Sequence, residues 1–103
     1  MEIKTTSDGH SVTIAVSGRV DAVTAPELEA GLKLGDASCV VLDIAGVPYM
    51  SSAGLRILLS AHKAMLAKGG EFKVANAQPV VKEVLDISGF SDFLDLVYTG
   101  DRG

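Results

Sequence analysis

Apolar and polar positions change period several times along the chain, and each change predicts an element. In residues 11–17, "SVTIAVS", Val12, Ile14 and Val16 alternate with small or polar residues. That is the period of a strand with one buried face. Residues 2–6, "EIKTT", also read as a strand, and the glycine in the intervening "SDGH" predicts a hairpin. The period then lengthens through "GRVDAVTAPELEAGLKLG". Thr24, followed three residues later by Glu27, predicts a capping box, and Pro26 falls in the first turn, where its missing N–H is harmless. Leu28, Leu32 and Leu34 supply the apolar side of this short helix, and Gly35 marks its end.

Residues 39–44, "CVVLDI", form a near-continuous apolar run, which predicts a strand covered on both faces. A helix starting near Ala53 follows. Its Leu55, Leu58, Leu59, His62, Met65 and Leu66 recur at helical spacing and predict one apolar face, with Gly69 and Gly70 as the stop. "EFKVANA" predicts a strand with Phe72 and Val74 inward. "QPVVKEVLDISG" predicts a third helix with Val81, Val84 and Leu85 on one side, and "FLDLVY" a last short strand. The order β-β-α-β-α-β-α-β implies parallel pairs joined by right-handed crossovers. The expected fold is α/β, a mixed sheet of four to five strands with helices packed mainly on one face.

Composition narrows the function. The 103 residues suit a single domain, 1–103, and 48% hydrophobic with 21% charged residues is a globular balance. A net charge of −4 and the lack of a basic cluster argue against direct nucleic-acid binding. The longest apolar run falls far short of the ~20 residues that span a bilayer, so no membrane insertion is expected. The polar start "MEIKTTSDGH" is no signal peptide, and the single cysteine, Cys39, excludes a disulfide within the chain. Both features suit the cytoplasm. Cys39 reads as a small strand hydrophobe. His10 in a turn and His62 on a helix face have no metal-ligand company, so neither a metal site nor a cofactor is expected.

The chemistry concentrates in "GVPYMSSAGLRILL", residues 46–59. Ser51 and Ser52 fall at a helix N-cap or first turn, where a serine oxygen can satisfy one of the free N–H groups. One serine suffices for that. The same place also suits a phosphate, because free N–H groups and the helix dipole favour an anion. Physics alone leaves both readings open. Asp21 before the first helix reads as a solvated loop carboxylate or an extra cap. Asp43 is placed to order the serine turn through backbone N–H groups. Arg56 faces away from Leu55 and Leu59. Asn76 and Gln78 fit turn chemistry. A hydrolase elbow would read G-x-S-x-G, no histidine is placed as a base, and there is no phosphate loop, so no enzyme activity is expected.

Three segments together, "SGRVDAVTAPELE", "VVLDIAGVPYMSSAGLRIL" and "KGGEFKVANAQPVVKEVLDISGF", resemble the sulfate-transporter and anti-sigma-factor-antagonist (STAS) domain family. Within it, the small bacterial anti-sigma factor antagonists are the nearest match, over roughly residues 3 to 98. The resemblance implies a STAS-like fold and a partner-switching cycle. The unphosphorylated protein would bind a serine kinase/anti-sigma factor of the histidine-kinase-like ATPase type, phosphorylation would release it, and a serine phosphatase would reset it. On this pattern Ser52 is the phosphoacceptor, and Ser51 stands where the family often has aspartate, as a competing acceptor. Asp21, Thr24, Ser51, Ala53, Gly54 and Arg56 fall on the partner-binding face. The family often carries a further C-terminal helix, which the ending "YTGDRG" leads one to expect absent or very short. The alternatives are a constitutive interaction subunit of a transporter or signalling complex, whose serines only cap, and a small-ligand or nucleotide binder.

Overall fold

The structure, a computed structural model, describes residues 1–32 and 35–98. The chain runs β1 (Glu2–Asp8), β2 (Ser11–Ser17), α1 (Ala25–Gly31), β3 (Cys39–Gly46), α2 (Ser52–Ala67), β4 (Glu71–Ala75), α3 (Pro79–Ile87), a single 3-10 turn (Phe90–Asp92) and β5 (Asp95–Val97). The strands form one sheet in the order β1-β2-β3-β4-β5. β1 pairs antiparallel with β2, with Asp8 opposite Ser11, so the hairpin closes through Gly9 and His10. Gly9 has φ +66°, which a glycine adopts without strain. All other pairings are parallel.

Each parallel crossover advances by one strand in the same direction, so right-handed connections place all three helices on one side. Burial agrees. Val40, Leu42 and Ile44 of β3 are buried, whereas Cys39, Val41 and Asp43 between them are only half-buried. The "CVVLDI" run is therefore covered on one face, not two, and Cys39 lies on the uncovered side. Ile14 and Val16 of β2 and Phe72 and Val74 of β4 extend the same core, which Leu28, Leu58, Met65, Val81 and Leu85 close from the helices. Truncating a side chain such as Leu42 to alanine costs about 2–5 kcal/mol.

Three further expectations shift. The buried line of α2 is Gly54, Ile57, Leu58, Ala61 and Met65. Leu55, Leu59 and His62 are half-buried, and Leu66 is 61% exposed. This buried line includes the small residues Gly54 and Ala61, so it is rotated away from the bulkiest stripe. α1 ends at Gly31, where a Cβ would stand 2.6 Å from Ile3 Cδ1, four residues before the expected stop at Gly35. Leu34 falls outside the described residues. The last strand shrinks to Asp95–Val97, because Phe90–Asp92 turn into a 3-10 helix and Phe90 and Phe93 pack ring to ring at 5.1 Å. The expectation concerning a further C-terminal helix falls largely on residues 99–103, outside those described. Among the described residues no helix is long and apolar enough to cross a membrane.

Candidate functional site

The loops after β2 and β3 emerge side by side at the carboxyl end of the parallel strands and are fastened to each other. The Val20 N–H donates to the Tyr49 carbonyl at 3.0 Å, and the Ser51 N–H donates to the Val20 carbonyl at 2.9 Å. Val20 and Met50 form a one-residue parallel bridge, and both side chains are buried. This link sets Asp21 and Ser51, each one residue further on, next to one another at the surface.

Asp21 initiates the turn into α1. Its Oδ1 accepts from the Val23 and Thr24 N–H groups at 3.0 and 3.2 Å. Thr24 Oγ1 reciprocates by accepting from the Asp21 N–H at 3.0 Å, and donates to the Arg19 carbonyl at 2.8 Å. This is a capping box, but one turn earlier than the Thr24–Glu27 pair predicts, and Thr24 makes no side-chain cap of its own on α1. A carboxylate accepts two N–H groups better than a hydroxyl, which leaves Thr24 as the returning partner. Arg19 closes the cluster. Its Nε donates to Asp21 Oδ2 at 3.0 Å, and its guanidinium lies 4.4 Å from the centre of the Tyr49 ring. The Thr24 N–H, then the Arg19 guanidinium and the Val23 N–H, hold the Asp21 carboxyl below its ordinary value of 3.8.

The two serines divide their tasks. Ser51 is the N-cap of α2, with extended backbone (φ −91°, ψ 179°). Its Oγ accepts from the Ala53 N–H at 3.2 Å, and its carbonyl accepts from the Leu55 N–H at 3.1 Å. With its own N–H on Val20, all three of its polar groups are engaged. Ser52 is the first residue of α2 and is exposed, and its Oγ makes no hydrogen bond among the described residues. Gly54 is buried beneath. A Cβ there would lie 2.6 Å from Met50 Cγ and 2.7 Å from Val20 Cγ1, so only glycine lets α2 begin this close to the loop bridge. Ala53 is half-buried, Arg56 is exposed one turn along α2, and both border a groove between α1 and α2 with Ala22, Pro26 and Glu29.

The structure thus brings Asp21, Thr24, Ser51, Ser52, Ala53, Gly54 and Arg56 together at one end of the sheet. Asp43 stays apart from the serine turn. Its side chain alternates onto the uncovered sheet face, where Oδ1 accepts from the Ala45 N–H at 3.0 Å. Gln78 reaches across to β3 rather than closing its own turn, donating from Nε2 to the Ala45 carbonyl at 2.7 Å, and Asn76 turns the chain at φ +63°. His62 packs against Phe93 at 5.2 Å between ring centres, and the His10 carbonyl accepts from Ser38 at the opposite end of the sheet. Among the described residues no group of three His, Cys, Asp or Glu side chains is arranged to hold a metal. Sequence reasoning passes over Arg19, Val20, Val23 and Tyr49. Val23 is 86% exposed beside the capping box. The Arg19–Tyr49 pair spans thirty positions, with no local spacing to announce it.

Comparison with known proteins places this fold. The STAS domain signature matches residues 2–101. BtrV of Bordetella bronchiseptica, a candidate anti-sigma factor antagonist by name, is 39% identical over 79 residues, covering 73% of this chain and 67% of its own. The anti-sigma-B factor antagonist of Listeria monocytogenes is 27% identical over 99 residues, covering 93% and 86%. Bacillus SpoIIAA has the same fold in both its unphosphorylated form (TM-score 0.80, 17% identity, 97% of this chain and 90% of that one) and its phosphorylated form (TM-score 0.75, 16% identity, 97% and 93%). The chain belongs to the STAS domain family, in the company of the anti-sigma factor antagonists.

Proposed function

We propose that this protein is an anti-sigma factor antagonist working by partner switching in the cytoplasm, and that Ser52 is its switch. The observation that carries the reading is the division between the serines. Capping needs one hydroxyl, and Ser51 provides it. Ser52 is left exposed at the helix start, its Oγ without a hydrogen bond among the described residues, where a kinase can reach it without disturbing the core. A relative of the same fold is known in a phosphorylated form.

In this reading the unphosphorylated face binds a serine kinase/anti-sigma factor of the histidine-kinase-like ATPase type. Exposed Val23 and Tyr49 and the side chain of Arg56 frame the contact. The Ser52 Oγ takes the γ-phosphoryl group of ATP, its proton passes to a base of the kinase, and ADP leaves. The new charge, about −1.5 to −2, must then be desolvated for the complex to persist. A hundredfold loss of affinity needs only about 2.7 kcal/mol, well within reach of one anion in an interface. A serine phosphatase restores the binding state. The function is binding rather than catalysis. A ligand-binding role is disfavoured by topology: the strand order never reverses, so the sheet lacks the crevice where open α/β sheets hold nucleotides.

Incubation with the cognate kinase and ATP tests the assignment. The expected product carries one phosphate at Ser52, and Ser52→Ala abolishes it while retaining kinase binding. Full modification of Ser52→Ala at Ser51 would move the site. A protein that binds its partner but is modified at neither serine would instead be a constitutive interaction subunit.

A further inference from the structure

Ser52 shares its helix with an exposed cation, Arg56. Ser52 begins α2, and Arg56 lies four residues later, so the two face the same way about 40° apart around the axis. Side chains at this spacing stand about 5–6 Å apart at Cβ, and the order acid first, base second is the favourable one. Both residues are exposed. No aspartate or glutamate occurs in α2 to compete on the same helix. Arg56 has no ion-pair partner among the described residues, whereas Arg19, Lys73 and Lys82 are held by Asp21, Asp95 and Asp86. Glu29 is the one carboxylate bordering the groove beside Arg56, and it belongs to α1. Asp21 is already engaged by Arg19 and by two N–H groups.

We infer that a phosphate on Ser52 is captured in cis by the Arg56 guanidinium. This rests on the reading of Ser52 as the modified residue, and adds how the modification is registered. The forked guanidinium matches phosphate oxygens and binds them with two parallel hydrogen bonds. The unmodified hydroxyl offers no charge, so Arg56 stays free in that state. Phosphorylation therefore changes two surface features at once: a neutral serine becomes an anion, and the Arg56 cation is withdrawn from the face offered to a partner. The pair also ties the phosphate to a turn of helix, so the phosphorylated domain keeps its fold.

Phosphoserine placed at position 52 during translation tests this without any kinase. The phosphate is followed by phosphorus NMR across its second ionisation. Arg56 favours the dianion, so the expected midpoint lies about half a pH unit lower than in the Arg56→Gln variant. Arg56→Lys retains part of that shift. Lys63→Gln, which removes the next exposed cation of α2, leaves the curve unchanged. High salt shrinks the difference between wild type and Arg56→Gln. Superimposable curves for wild type and Arg56→Gln would overturn the inference, as would an equal displacement by Lys63→Gln. Either result would leave Ser52 standing as the kinase target. Failure of the kinase to modify Ser52 would remove the proposed function and leave the titration as it is.

Discussion

Gly54 shows how a single position can decide where a site lies. It is buried between Met50 and Val20, and nothing larger than hydrogen fits there. Gly54→Ala should destabilise the domain by about 1–3 kcal/mol, the usual cost of overpacking a filled contact. Urea unfolding of the variant measures this directly, and a neutral result would mean that the loop bridge yields easily. The adjacent serines should respond differently from one another. Ser51→Ala removes the N-cap and should cost about 1 kcal/mol, whereas Ser52→Ala, which loses no hydrogen bond among the described residues, should unfold at the same urea concentration as wild type. Two serines at a helix start are visible in the sequence. Which of them caps is not, because that depends on Ser51 receiving an extended backbone from its bond to Val20, thirty-one residues earlier.

At the scale of elements, the capping box of α1 links acid stability to the site. The folded Asp21 carboxyl stays charged to lower pH than the unfolded one, because Thr24, Arg19 and Val23 favour the charged form. Its contribution is therefore complete above the ordinary value of 3.8 and is lost as pH falls through the lower folded value. Asp21→Asn should lower Tm near neutral pH, with the gap to wild type closing in strong acid. Thermal melts across that range read it, and a constant gap would show that the charge is not the source. Asp86, held down by Lys82 and then by Ser91, has the same sign and would mark the α3 end independently. Element order and type were legible from the pattern, since short period-two or apolar runs alternate with stretches of helical period. Exact faces were not. The α2 stripe counted on large side chains misses the small buried residues Gly54 and Ala61. The capping box was sought at Thr24 and Glu27 because a serine or threonine before an acidic residue is the usual signal; an aspartate leading to a threonine does the same work in reverse.

For the whole molecule, one fact of topology organises the rest. The chain builds its sheet strand by strand in one direction and keeps its helices on one side, so the loops at the carboxyl end of the strands carry the site on rigid supports. The opposite sheet face stays partly open, with Asp43 and Cys39 on it rather than near Ser52. The apolar run of β3 suggested two covered faces because hydrophobicity alone cannot report whether a second layer exists. The candidate residues could be named from the family pattern, but their assembly by the Val20–Met50 bridge and the Arg19–Tyr49 stack comes only from three dimensions. Since Ser52 is exposed and outside the core, a phosphate placed there should leave the fold unchanged, seen as amide NMR shifts confined to the Asp21 turn and the first turns of α2. The most direct test of the central claim is the affinity of the cognate kinase for the two forms, measured side by side on protein with serine or phosphoserine at position 52. Binding weaker by about a hundredfold for the phosphorylated form, or about 2.7 kcal/mol, is the predicted result; equal affinity for both forms would contradict it.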